Sequence, residues 1–219
     1  MKKIYTIGHS SHTSEYFLYL LRKFGINSIV DIRSIPFSRY VPHFNKDNIK
    51  NFLNSNHIYY IYMAREFGLL QEGENLLHPE GYLDFNKVRQ TSSFNKGVER
   101  LKNGLHKDYR IAIMCAEKDP IDCHRSILVA PALIREGYSV VHILPDGKRE
   151  SHEEFEERLL QLYFPKTPQQ NFFDIIEEDN SRKTLINMAY ALRNRDLIYK
   201  TKITKWRNNP LHFVILLLL

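Results

Sequence analysis

Short apolar runs alternate along this chain with stretches in which apolar residues return every three or four positions. The runs fall at residues 3–7, 28–32, 58–63, 110–114 and 140–144. Each is continuously apolar rather than alternating, which is the pattern of strands covered on both faces. The helical spacing falls between them. Residues 14–24 carry Phe17, Leu18, Leu20, Leu21 and Phe24 on one face and stop at Gly25. Residues 47–54 carry Ile49, Phe52 and Leu53. Residues 85–101 predict a helix with a break near Thr91-Ser92-Ser93, and residues 123–135 one with Ile127, Leu128, Ala130, Leu133 and Ile134 inward, ended by Gly137. Residues 151–163 open with Ser151-x-x-Glu154, the signature of a capping box. Two stretches lack periodicity: residues 36–45, bearing Pro36 and Pro42, and residues 64–83, with Gly68, Gly73, Gly81 and Pro79.

Five strands separated by helices imply right-handed crossovers. The expected fold is α/β: a three-layer domain with a mostly parallel five-stranded sheet and helices on both faces. This domain spans residues 1–163. Pro165 and Pro168 then mark a boundary, and residues 164–219 read as a basic helical C-terminal extension, with a helix at 185–199 and an apolar end at 213–219. Seven apolar residues are far fewer than the about 20 that cross a bilayer, so no membrane association is expected.

Composition changes this picture little. The chain has 219 residues, 43% apolar and 26% charged, as in ordinary soluble proteins. Two cysteines make no disulfide framework, and the amino end lacks the long apolar run of a signal peptide, so a cytoplasmic protein with reduced thiols is expected. The formal charge of +6 is concentrated in residues 180–210, which include Arg193, Arg195, Lys200, Lys202, Lys205 and Arg207. Such a run is commonly a solvated face. It also suits a polyanionic partner.

Candidate chemistry concentrates in one place. Both cysteines lie within Cys115-Ala116-Glu117-Lys118-Asp119-Pro120-Ile121-Asp122-Cys123-His124-Arg125, where an apolar strand turns into an apolar helix. Ligands of open parallel sheets bind beyond the carboxyl ends of the strands. Those ends supply His9-Ser10, Asp31-Ile32-Arg33, Arg65-Glu66 and Cys115-Ala116-Glu117. A helix starting at Cys123, with Asp122 as its N-cap, would offer unpaired N–H groups and a lowered thiol pKa. Cys123 or Cys115 then reads as a nucleophile, with His124 or Glu117 for proton transfer. Arg33, Arg39 and Arg125 read as holders of an anion, with His9, Ser10 and Asp31 as further ligand contacts. The spacing Cys-x7-Cys-His does not match the two to four residues usual between paired zinc ligands, so no metal is expected. No Gly-rich nucleotide fingerprint is present and no cofactor is implied.

Taken together, Tyr5-Thr6-Ile7-Gly8-His9-Ser10, Val30-Asp31-Ile32-Arg33-Ser34-Ile35-Pro36-Phe37-Ser38-Arg39, Met114-Cys115-Ala116-Glu117, Cys123-His124-Arg125 and Val140-Val141-His142-Ile143 resemble the prokaryotic family called domain of unknown function 488. The resemblance covers roughly residues 1–163, with a weaker echo at Ala189-Tyr190 through Ile198-Tyr199. It implies a single three-layer α/β domain and groups the polar strand ends into one site, but it supplies no reaction. The leading expectation is an enzyme acting on a phosphate-bearing substrate, a nucleotide or nucleic acid. A non-catalytic nucleic-acid-binding module, using the basic tail and the Phe37–Tyr40 loop, is the first alternative, and a metal-binding structural protein the second. Oligomeric state is not encoded in any of these features.

Overall fold

The computed structural model describes residues 2–165 and 180–207. Of the boundary expected at Pro165 and Pro168, the second proline lies outside the described residues, as does the apolar end at 213–219. In chain order the elements are β1 (Lys3–Gly8), α1 (Ser14–Lys23), β2 (Ser28–Asp31), α2 (Lys46–Ser55), β3 (Tyr59–Tyr62), α3 (Ala64–Phe67), α4 (Phe85–Arg89), α5 (Ser92–His106), β4 (Ile111–Cys115), α6 (Ala130–Arg135), β5 (Ser139–Ile143), β6 (Arg149–Ser151), α7 (His152–Tyr163) and α8 (Asn180–Arg207).

The sheet runs β3-β2-β4-β1-β5-β6. Its first five strands are parallel, as the alternation of elements requires, and β6 closes the edge antiparallel to β5. This sixth strand is not visible in the pattern because it is three residues long, all of them charged or polar, at a sheet edge. Strand parity sorts the core into two layers. Tyr5, Ile7, Ile29, Ala112 and Met114 pack against α1 and α2. Ile4, Val30, Ile111, Ile113 and Cys115 face the opposite way, against α4, α5, α6, α7 and α8. Cys115 therefore points toward the layer that contains Cys123.

Local chemistry accounts for most helix boundaries. Thr91 accepts from the Phe94 amide and starts α5, which is the break expected near Thr91-Ser92-Ser93. Ser151 and Glu154 form both halves of the expected capping box at α7.

The expected helix at 123–135 is different. Pro120–Asp122 forms a 3-10 turn, Cys123 is extended (φ −136°, ψ 139°), Arg125–Val129 winds as a π-helical turn, and only Ala130–Arg135 is α-helical. Pro131 explains the change. It lacks the N–H that would bond to the Ile127 carbonyl and its ring would crowd that group. Arg89 instead donates to the Ile127 and Leu128 carbonyls, at 3.1 and 3.2 Å. Nor is Asp122 the N-cap. His124 occupies that position without a side-chain cap, whereas the Asp119 carboxylate accepts from the Ile121 amide. The Ser126 amide is taken by the Cys123 carbonyl, so the first turn offers less to an anion than a regular helix start would.

The described part of the C-terminal segment is one long helix laid on the α/β layer, with Ala189, Arg193, Asn194, Leu197 and Ile198 buried.

Candidate active site

Adjacent strands β2, β4 and β1 end side by side, and the polar residues that follow them meet there. The His9 amide donates to the Cys115 carbonyl and the Ser10 amide to the Ala116 carbonyl, both at 2.9 Å. The chain end of β1 is thus zipped to the loop leaving β4. This close approach needs glycine at position 8, because a Cβ there would sit 1.9 Å from the Glu117 carbonyl oxygen. Arg125 folds the same loop from below. Its side chain is completely buried, and its guanidinium donates to the Glu117 and Lys118 carbonyls at 2.8 and 3.3 Å.

On the β2 side, Arg33 and Asp31 form a two-pronged buried pair, Nε to Oδ1 at 2.9 Å and Nη2 to Oδ2 at 2.6 Å. Such forked pairs hold geometry as well as charge. Arg33 Nη1 lies 3.0 Å from His9 Nε2, and His9 Nδ1 lies 2.9 Å from the Ser10 carbonyl. A guanidinium only donates and a carbonyl only accepts, so His9 is the neutral tautomer with its proton on Nδ1. Burial, then the neighbouring Arg33 charge, lowers its pKa to about 4. Its ring stacks on Phe44, 4.3 Å between centroids. Tyr60 from β3 donates to Asp31 Oδ2 at 2.7 Å, and burial together with that carboxylate raises its pKa.

On the β4 side, His124 Nδ1 lies 3.8 Å from Cys115 Sγ and 4.0 Å from Cys123 Sγ. All three residues are buried, and their donor atoms lie within 4.8 Å of one another. Two sulfurs and an imidazole are the donor set of a thiophilic metal ion as well as of a thiol centre. The two thiols are pushed in opposite directions. The hydrogen bond to Cys123 and burial raise Cys115. Burial would raise Cys123 too, but Cys115, Arg125 and His124 together hold it well below the ordinary thiol range.

These two groups share a cleft of about 270 Å³ lined by Arg33, Ser34, Cys115, Glu117, Cys123 and His124, with Ile35, Leu69, Leu70 and Leu197 as its apolar wall. Ser34 pins that wall by accepting from the Leu69 and Leu70 amides. Asp31 and His9 stand behind Arg33 rather than in the cleft. Ser10 lines a different hollow, beside His12 and Lys118. Arg125 is committed to carbonyls below the loop, and Arg39 lies on the exposed loop outside the cleft lining. Glu66 pairs with Arg100 and faces α5 instead.

Tyr60, Ser34, Leu69 and Leu197 do not stand out in the sequence. Tyr60 has a strand-parity signal, since it pairs in register with Ile29 two residues before Asp31. Leu197 and Arg193 come from α8, far along the chain. Arg193, expected within a solvated basic run, is buried; it donates to the Ile121 carbonyl at 2.7 Å and pairs with Asp122.

Among the described residues, no helix is long and apolar enough to cross a membrane. No curated protein and no solved structure matches the chain. A family profile does match, over residues 13–131, which takes in every residue of the cleft except Leu197. The profile is that of the domain of unknown function DUF488, and the chain belongs to this family.

Proposed function

We propose that the protein is an enzyme that holds a small oxyanion-bearing substrate, such as a phosphate ester, in the cleft between Arg33 and the Cys115–Cys123–His124 cluster. The observation that carries this reading is the meeting of the two groups across one cleft. Arg33 spends Nε and one direction each of Nη1 and Nη2 on Asp31 and His9, which leaves one N–H on each terminal nitrogen for a substrate oxygen. Its orientation is set before binding, which spares the substrate the cost of ordering it. The sulfur and imidazole cluster is the reacting end, and Glu117 at the rim supplies or receives a proton. The volume admits a small molecule or the terminal group of a larger one.

The test is turnover of three chromogenic esters, p-nitrophenyl phosphate, bis(p-nitrophenyl) phosphate and p-nitrophenyl acetate, in buffers with and without divalent cations. At least one should be hydrolysed. Cys123→Ser should lower kcat by about 100-fold or more, and Arg33→Gln should act mainly on KM. No turnover of any ester, or turnover unchanged in the Cys123→Ser protein, would sink the reading.

One observation favours a nucleic acid as the larger substrate. The loop beside the cleft presents Phe37 and Tyr40 to solvent, 66% and 97% exposed, flanking Arg39. Rings next to a cation suit unpaired bases and their phosphates. Salt-dependent binding of a single-stranded oligonucleotide that weakens about tenfold or more in Tyr40→Ala, as loss of a stacked base does, is expected. Equal affinity of the two proteins would remove the loop from the reading.

A further inference from the structure

We propose that Cys115, Cys123 and His124 form a three-donor site for one thiophilic divalent cation, Zn²⁺ by donor chemistry, whose fourth coordination position opens into the cleft. The inference rests on the reading of this cluster as the cleft's reacting end and names what that end holds.

Three observations carry it. The first is geometric. Zinc bonds of about 2.3 Å to sulfur and about 2.0 Å to nitrogen, set tetrahedrally, give sulfur-to-nitrogen edges of about 3.5 Å. The observed separations are 3.8 and 4.0 Å, so contraction by a few tenths of an ångström completes three corners of the tetrahedron. Both distances are long for a single good hydrogen bond, and one ring nitrogen faces both sulfurs at nearly the same range. The second is that hydrogen bonding does not otherwise hold this ring. His124 Nε2 is buried without a partner, so Nδ1 and the two sulfurs account for the ring's one polar contact. The third is charge. Two thiolates and a neutral imidazole around a divalent ion carry no net charge, which is compatible with the burial of all three ligands.

The sequence conceals this set because its ligands come from different elements. Cys115 ends β4, whereas Cys123 and His124 precede the π-helical turn. The loop that joins them is folded back by Arg125, and no short-range pairing motif is needed. All three ligands line the cleft, with Arg33 on the same lining. Three protein ligands and an open fourth position are the arrangement of a catalytic rather than a structural zinc centre.

The experiment is a Co²⁺ titration of the reduced, chelator-stripped full chain. A thiolate-to-cobalt charge-transfer band should grow and saturate at one ion per chain, and one equivalent of Zn²⁺ should abolish it. Cys115→Ser, Cys123→Ser and His124→Asn should each weaken binding by more than the 10–100-fold typical of losing an outer-shell group. Should these variants fold poorly, the wild-type chain gives a second measurement, since saturating Zn²⁺ should protect both cysteines from iodoacetamide. No charge-transfer band, or alkylation at the same rate with and without Zn²⁺, overturns the site. Cobalt binding without ester turnover would keep the metal site and retire the enzyme reading. Turnover by metal-free protein that shows no cobalt band would do the reverse.

Discussion

Gly8 joins the sheet to the reactive loop, and the reason is distance rather than flexibility. Its Cα faces the Glu117 carbonyl so closely that a methyl group would stand 1.9 Å from the oxygen and 3.3 Å from Arg125 Nη2. Neither neighbour is free to retreat. The carbonyl accepts from Arg125, and the Ala116 carbonyl next to it accepts from Ser10. Gly8→Ala should therefore cost at least the upper end of the usual overpacking penalty, about 3 kcal/mol. A thermal melt should read this as a drop of about 6–12 °C for a chain of this size. A melting temperature within a degree or two of wild type would mean that the loop has room the structure denies it. Arg125 belongs to the same small assembly. A buried guanidinium whose hydrogen bonds go to carbonyls stabilises negative charge nearby, and its charge favours the thiolate of both Cys115 and Cys123.

At the scale of elements, the cleft is completed by α8. Arg193 holds the Pro120–Asp122 turn through the Ile121 carbonyl and the Asp122 carboxylate, while Asn194 accepts from the Phe85 amide and donates to the Leu83 carbonyl. One turn of a distant helix thus ties the start of α4 to the loop that bears the cysteines. Arg193→Ala should cost about 1.5–3 kcal/mol, as expected for hydrogen bonds of a charged group. Amide exchange at Asp122 and Cys123 should quicken more than exchange in the central strands. Uniform acceleration across the sheet would count against a local tether. The parallel strands, the Thr91 break and the α7 capping box were legible in the sequence, because apolar runs and caps are local signals. The convergence of Arg33, Cys115 and Glu117 followed from reading strand ends, whereas Cys123 was reached through an expected helix start that the structure replaces with an extended residue. The π-helical turn did not, although Pro131 sits in the middle of the expected helix; what replaces its missing hydrogen bond is Arg89, 42 residues earlier. Nor were the contributions of α8 legible, since tertiary packing rather than periodicity decides which basic residues are buried.

Across the whole molecule, a second buried polar chain runs from the sheet to α8, separate from the cleft. Thr6 Oγ1 meets His142 Nδ1 at 2.8 Å, His142 Nε2 meets His152 Nδ1 at 3.0 Å, and His152 Nε2 meets the Tyr190 hydroxyl at 2.6 Å. Tyr190 also donates to Glu156 at 3.1 Å. With the single Tyr190 proton given to Glu156, His152 donates to Tyr190, His142 donates to His152, and Thr6 donates to His142, so each link has one donor and one acceptor. Both histidines are neutral in that arrangement. Burial lowers His152 to about 3, and burial followed by the neighbouring His152 lowers His142. In the unfolded chain each takes up a proton near pH 6.5. Stability is therefore complete above about pH 6.5 and falls as pH drops below it, because the unfolded state then binds protons that the fold refuses. Two such groups give a limiting slope of about 2.7 kcal/mol per pH unit, between pH 6.5 and the region near pH 3 where His152 titrates in the fold, and buried His9, lowered to about 4, adds about 1.4 kcal/mol per pH unit down to its own pKa. Glu156, whose pKa burial raises, opposes this weakly because it takes up its own proton in the fold. Urea unfolding from pH 7.5 to 5 should show the slope, and His152→Gln should reduce it by about 1.4 kcal/mol per pH unit. A flat pH profile for wild type, or an identical slope in the variant, would mean that these histidines carry their protons in the folded protein and that the donor order along the chain is different.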